Sequence, residues 1–274
     1  AGLPAIERIP YPVDLALKVL QGTRHIILVG ARDPVAFFAY PDKPSRLAPE
    51  GCEVHRLSTI AEDSPQALAW LADELGATGS APALQPLAPP ALPSGPMSLD
   101  GLATVIGALI PEHAIVVDES ITSGRGLFNF TRTARPHDWL QNMGGSIGFA
   151  MPVATGAAVA RPDRKVLCLE GDGSGMYTLQ ALWTQARENL DVTTVVFANR
   201  SYAILRGELA NVGAGNPGRK AIDMLDLDRP DLNWVGLATA MGVPAVRVDT
   251  LDSFGKELAA GIAAKGPRLI EVVL

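Results

Sequence analysis

Cysteine is almost absent from this 274-residue chain: it has 2, Cys52 and Cys168, far apart. Such usage suggests neither a disulfide scaffold nor a zinc site, and it points to the reducing cytoplasm. Histidine is scarce too. His25, His55, His113 and His137 show no metal-ligand spacing, and each reads as structural or exposed. Positive charge is not in excess. The net charge of −6 argues against a broad nucleic-acid surface. No basic-then-apolar leader opens the sequence. The longest weakly polar run, 144–160, is too short and glycine-rich to span a membrane. No Gly-x-Ser-x-Gly and no Cys–His arrangement offers a nucleophile. What is plentiful is apolar or small: 47% hydrophobic residues, 27 Gly and 22 Pro. That suffices for a sizeable core in one or two domains.

The chain is organised around residues 165–202. An apolar run, 166–169, ends in Glu170 and meets Gly171-Asp172-Gly173. A helical pattern follows, with Leu179, Leu182, Trp183 and Ala186 three and four apart on one face. A second apolar run, 192–198, ends in Asn199. This is strand, glycine loop, helix, strand: one βαβ unit. Such a crossover makes the strands parallel, so Asp172 and Asn199 share one edge of the sheet, where ligands of open α/β sheets bind. The glycines let the backbone turn sharply and approach a ligand. Ser174 stands where a helix start can hold phosphate. One carboxylate, one amide oxygen and phosphate oxygens suit Mg²⁺. Alone, Gly-Asp-Gly is also a common turn; the Asn ending the second strand, and Ser201 with its carbonyl, favour the metal.

The segment GDGSGMYTLQALWTQARENLDVTTVVFANRSYAILR resembles the diphosphate-binding signature of thiamine-diphosphate enzymes, within the acetolactate synthase and benzoylformate decarboxylase branch. The resemblance implies that Asp172, Asn199 and the carbonyl of Ser201 bind Mg²⁺, with Gly171, Gly173, Ser174 and Tyr202 around the cofactor. The family often has two adjacent Asn. Here the first is Ala198 and Arg200 follows the ligand, so the ligand position is kept. In Gly144-Gly145-Ser146-Ile147-Gly148-Phe149, the resemblance makes Ile147 the apolar residue that keeps the cofactor bent. It makes the Gly145 carbonyl the acceptor for the pyrimidine amino group. Ile147 as plain core is the competing reading. The loop after residue 117 supplies hydroxyls, Ser120, Thr122 and Ser123, for phosphate; the competing reading is a polar loop.

The rest predicts an α/β fold: a three-layer, mostly parallel sheet preceded by a partial α/β middle domain. Residues 1–80 read as the later part of that middle domain. They hold about one strand and two helices: a helix at 14–20, a buried strand at 25–30, and a helix at 64–75 begun by Pro65. Phe37, Phe38 and Tyr40 read as loop packing. Residues 81–98 are a proline-rich linker, extended and semi-rigid, and compatible with an ordered loop crossing the next domain. Residues 99–274 read as the whole diphosphate-binding domain, with a helix at 100–109, a strand at 114–117, a loop at 211–221, a helix from 233, a strand at 243–248, a helix at 253–264 and a last strand from 268. Nothing resembles the pyrimidine-binding domain, whose glutamate activates the cofactor across a subunit interface. Glu119, Glu170 and Glu188 do not match its motif. The chain therefore reads as a C-terminal fragment or one subunit of a split enzyme acting on 2-oxo acids, a homodimer or homotetramer when complete. A non-catalytic cofactor-binding or assembly subunit is the alternative. Flavin-containing relatives carry FAD on the middle domain, and no fingerprint in 1–80 settles that point.

Overall fold

The computed structural model of the protein describes residues 1–4, 6–142 and 145–274. The chain forms two units: residues 4–83, and residues 84–274 together with 1–3. The smaller unit holds α1 (Val13–Leu20), β1 (His25–Val29), β2 (Glu53–Ser58) and α2 (Ser64–Glu74). Pro65 lies in the first turn of α2, where its missing N–H is no loss, and Asp63 caps that turn by accepting from Gln66 N. Val13, Ala16 and Leu47 form a small core beneath α1. Two expectations change here. β1 is not a buried strand, because only Leu28 is buried while His25 and Ile27 are exposed. It pairs in parallel with β2 in a two-stranded sheet, and such a sheet has no central strand. β2 itself, EVHRLS, escapes the sequence reading because its charged residues break any apolar run.

The larger unit runs α3 (Leu99–Leu109), β3 (Ile115–Glu119), α4 (Leu127–Thr131), β4 (Asp138–Gln141), α5 (Ala150–Ala160), β5 (Val166–Gly171), α6 (Asp172–Gly175), α7 (Ala181–Arg187), β6 (Val192–Ala198), α8 (Ala203–Asn211), α9 (Arg219–Asp223), α10 (Trp234–Ala240), β7 (Ala245–Val248), α11 (Leu251–Ala263) and β8 (Arg268–Val273). Its strands make one all-parallel sheet in the order β4-β3-β5-β6-β8-β7. Strand side chains alternate between faces. Val116, Leu167, Leu169, Val195 and Phe197 pack with α3 and α11, while Ile115, Val117, Val166, Cys168 and Val196 pack with α5 and α10. These two cores create the three layers, and burial on both faces explains the uninterrupted apolar runs. Ser98 caps α3 by accepting from Gly101 N, and Thr250 with Ser253 boxes the start of α11.

Residues 84–98 run extended over this unit. Ala88 N donates to Thr133 O, Leu251 N to Gly95 O, and Gly95 N to the Asp252 carboxylate. Three local expectations are corrected. Trp183 is exposed, with the Arg187 guanidinium 5.4 Å from its ring centre. The helix starts only at Ala181, so Leu182 and Gln185 take the buried face. The loop at 211–221 gives way to α9 at Arg219. The Gly-Asp-Gly turn is itself the start of the one-turn helix α6. Among the described residues, no helix is long and apolar enough to cross a membrane.

This wiring positions the site. β3 is followed by β4 on one side of it, while β5 is followed by β6 on the opposite side. The carboxyl ends of β3 and β5 therefore flank a switch point, where open α/β sheets form their ligand crevice.

Candidate cofactor site

Asp172 follows β5 directly and is buried. Its Oδ1 accepts from Gly173 N at 2.9 Å, and its Oδ2 accepts from Arg200 N at 2.6 Å. That second bond ties the end of β5 to the turn after β6. Arg200 adopts a positive φ of 55° there. In the same turn Asn199 Oδ1 accepts from Ser201 N at 3.0 Å. Ser201 is held further by its hydroxyl, which donates to Leu225 O, and Tyr202 N donates to the same carbonyl. The Tyr202 ring closes over Gly173, where an added Cβ would lie 2.7 Å from it. Thus Gly171, Asp172, Gly173, Ser174, Asn199, Ser201 and Tyr202 are gathered at two adjacent strand ends. Burial pushes the Asp172 carboxyl up to about 6, against the backbone N–H groups that favour its charge. A buried carboxylate beside an amide oxygen is the donor chemistry a hard divalent cation takes.

The second half of the site rests on residues that the sequence reading left without a role. Glu119 ends β3 and pairs across the sheet with Glu170 of β5. Its carboxylate accepts from Gly148 N and Ala150 N, both at 2.8 Å, and from Asn142 Nδ2 at 3.4 Å. Asn142 also bridges its own loop, accepting from Ser146 N and donating to Ser146 O. Glu119 and Asn142 therefore fix the loop that carries Gly145 and Ile147. Gly148, at φ +87°, passes so close to Tyr177 that a Cβ would lie 2.7 Å from that side chain. Glu170 Oε1 accepts from Gly171 N, while Oε2 is buried without a partner. Burial, and then the neighbouring Glu119 charge, raise the Glu170 carboxyl well above the usual carboxylate range. Burial raises Glu119 also. Two acids closing adjacent apolar strands were the available signal, since unpaired acids are rarely buried.

The remaining expected residues fall as follows. Ser120 is buried, and its hydroxyl donates to Asp118 Oδ1. Thr122 and Ser123 follow in the same turn, half-buried. Gly145 is exposed, and Ile147 keeps 43% of its surface, so Ile147 is not core. Gly144 lies outside the described residues. His25 and His55, far apart in sequence, meet in the smaller unit beside Glu53.

The fold and these strand ends define a parallel α/β domain with its ligand crevice at the switch point. Residues 122–272 match the family described as thiamine pyrophosphate enzyme, C-terminal TPP binding domain, and the chain belongs to that family. It is 53% identical, over its whole length, to a Mycobacterium tuberculosis protein provisionally named acetolactate synthase large subunit IlvX, covering 53% of that protein. It is 29% identical over 98% of its length to benzoylformate decarboxylase of Pseudomonas aeruginosa, covering 54% of it. In structure it is similar to the thiamine diphosphate-dependent 4-hydroxybenzoylformate decarboxylase of Rhodococcus jostii: TM-score 0.77 at 26% identity, over 96% of this chain and 51% of that one. The chain thus spans about half the length of the relatives it matches. The resemblance to the acetolactate synthase and benzoylformate decarboxylase branch is borne out.

Proposed function

We propose that this chain is the diphosphate- and Mg²⁺-holding half of a thiamine-diphosphate-dependent enzyme that decarboxylates 2-oxo acids or ligates the product to a second carbonyl compound. The observation that carries the reading is the joining of Asp172 and the Asn199 turn through the bond from Arg200 N. Asp172 would give Mg²⁺ its one protein charge, Asn199 Oδ1 and the Ser201 carbonyl its neutral oxygens, and phosphate oxygens the remainder. Gly171, Gly173 and Ser174 would line the diphosphate, with Tyr202 behind Gly173 and the hydroxyls of Ser120, Thr122 and Ser123 at its margin. Bound there, thiamine diphosphate supplies the electron sink for loss of carbon dioxide. Ile147 would brace the cofactor's bend, and the Gly145 carbonyl would accept from its pyrimidine amino group; these two are the residues assigned to catalysis. Both ride on the loop held by Glu119.

In this reading the aminopyrimidine ring is enclosed by a pyrimidine-binding domain or subunit outside residues 1–274, in a homodimer or homotetramer. Preorganisation of the reacting centre needs both halves. The test is calorimetric titration of thiamine diphosphate with Mg²⁺ into the chain and its Asp172→Ala variant, beside an assay of carbon dioxide release from pyruvate, benzoylformate and longer 2-oxo acids. Expected are binding that Asp172→Ala abolishes, and turnover by the chain alone below about 1 s⁻¹ that rises when the pyrimidine-binding part is supplied. Equal binding by wild type and variant would sink the metal assignment. Binding without any rescued turnover would leave a cofactor-holding assembly subunit instead.

A further inference from the structure

β1 and β2 lie parallel, with His25 level with Glu53 and Ile27 level with His55. Residues two apart on a strand share a face, so Glu53 and His55 point the same way, and His25 joins them from the neighbouring strand. His25 Nδ1 lies 3.2 Å from His55 Nε2 and 3.8 Å from Glu53 Oε2; that oxygen lies 3.6 Å from His55 Nε2. The two rings stack, 28° from parallel. All three side chains are exposed, so nothing in the smaller unit's core requires them to converge.

We propose that His25, Glu53 and His55 form a binding site for a borderline transition-metal ion such as Zn²⁺, with water completing its coordination. Size is the first argument. A triangle with these three sides leaves a point about 2.1 Å from all three atoms, the length of a Zn–N or Zn–O bond. Donor type is the second. Two imidazole nitrogens and one carboxylate suit Zn²⁺, Cu²⁺ or Ni²⁺, whereas Mg²⁺ takes oxygens. The trio is therefore chemically distinct from the all-oxygen set at Asp172, and it belongs to the other unit. Charge is the third. Without an ion, the short contact between the rings requires a proton on one facing nitrogen and none on the other. A metal ion replaces that proton and lets both nitrogens, and the Glu53 oxygen, donate lone pairs to it together.

The test uses the intact chain, stripped with chelator, in buffer containing excess Mg²⁺. Zn²⁺ is titrated by calorimetry, and Co²⁺ is followed by visible absorption. The expected result is one Zn²⁺ site per chain that Mg²⁺ does not displace. His25→Ala and His55→Ala should each weaken it by more than the roughly 10- to 100-fold that losing an outer-shell partner costs. Asp172→Ala and Cys52→Ser should leave it unchanged. Because the trio is exposed, circular dichroism should show each variant folded. Zn²⁺ affinity equal in wild type and the His25→Ala/His55→Ala double variant overturns the proposal. So does loss of the site in Cys52→Ser, or full competition by Mg²⁺.

Discussion

Glu119→Ala should destabilise the larger unit and release the loop before α5. The Glu119 carboxylate accepts the backbone amides of Gly148 and Ala150, and both residues are buried. Truncation leaves two buried N–H groups unpaired, at about 1–3 kcal/mol each. Part of this is offset, because truncation also removes the cost of burying the Glu119 carboxyl itself. The net loss should be about 2–4 kcal/mol, with the offset taken as the smaller term. For a unit of this size that lowers the melting temperature by about 5–15 °C. Glu119→Gln keeps one acceptor oxygen and should fall between wild type and Ala. Calorimetric melts give the order, and hydrogen exchange at Gly148 and Ala150 gives the cause, because both amides should lose protection. A Glu119→Ala variant that melts within about 2 °C of wild type, or protection unchanged at both amides, would refute the reasoning.

Three further outcomes are expected. Glu170 binds its proton more tightly folded than unfolded, so its contribution to stability is complete below the unfolded value near 4.5 and declines as pH rises toward the folded value. In Mg²⁺-free buffer Glu170→Gln, which mimics the neutral acid, should match wild type near that value and gain on it steadily as pH rises toward the folded value; parallel pH–stability curves would contradict this. Ile147→Ala should change stability by less than about 1 kcal/mol, since the side chain is largely exposed, yet cut turnover of the complete enzyme more than cofactor affinity. Unchanged turnover per cofactor-loaded enzyme rejects the bracing role. Asn199→Ala should weaken Mg²⁺-dependent cofactor binding less than Asp172→Ala, because a neutral ligand is lost; titration showing the reverse order would exchange their ranks.

The sequence made the larger unit legible because its information is local. Val166–Gly171 and Val192–Ala198 are buried on both faces, so each announces itself as an apolar run. The cap at Ser98 marks the start of α3 by residue type alone, whereas Thr250 went unread and α11 begins at Leu251, ahead of the expected Ser253. The smaller unit was less legible because its strands are mostly exposed, and β2 carries Glu53, His55 and Arg56. Of the candidate site, Asp172 and Asn199 were readable because one βαβ unit holds both. The supporting acids were not. Glu119 reaches Gly148 and Ala150 across some thirty residues, and the upward shift of the Glu170 carboxyl depends on burial and a cross-strand neighbour. No local pattern encodes either. The meeting of His25 and His55 was hidden for the same reason, since parallel pairing, not spacing, makes these exposed residues neighbours.

The divergence of the chain at β3 and β5 has a consequence for how such a protein changes over generations. Loop 120–126 leaves on one side of the crevice, while the Asp172 turn and Asn199 belong to the opposite winding of the sheet. An insertion or exchange in the first can alter what approaches the crevice without disturbing the bond from Arg200 N to Asp172. The loop after β3 can thus change in length or composition while the Asp172 turn keeps its tie to the strand end beside it.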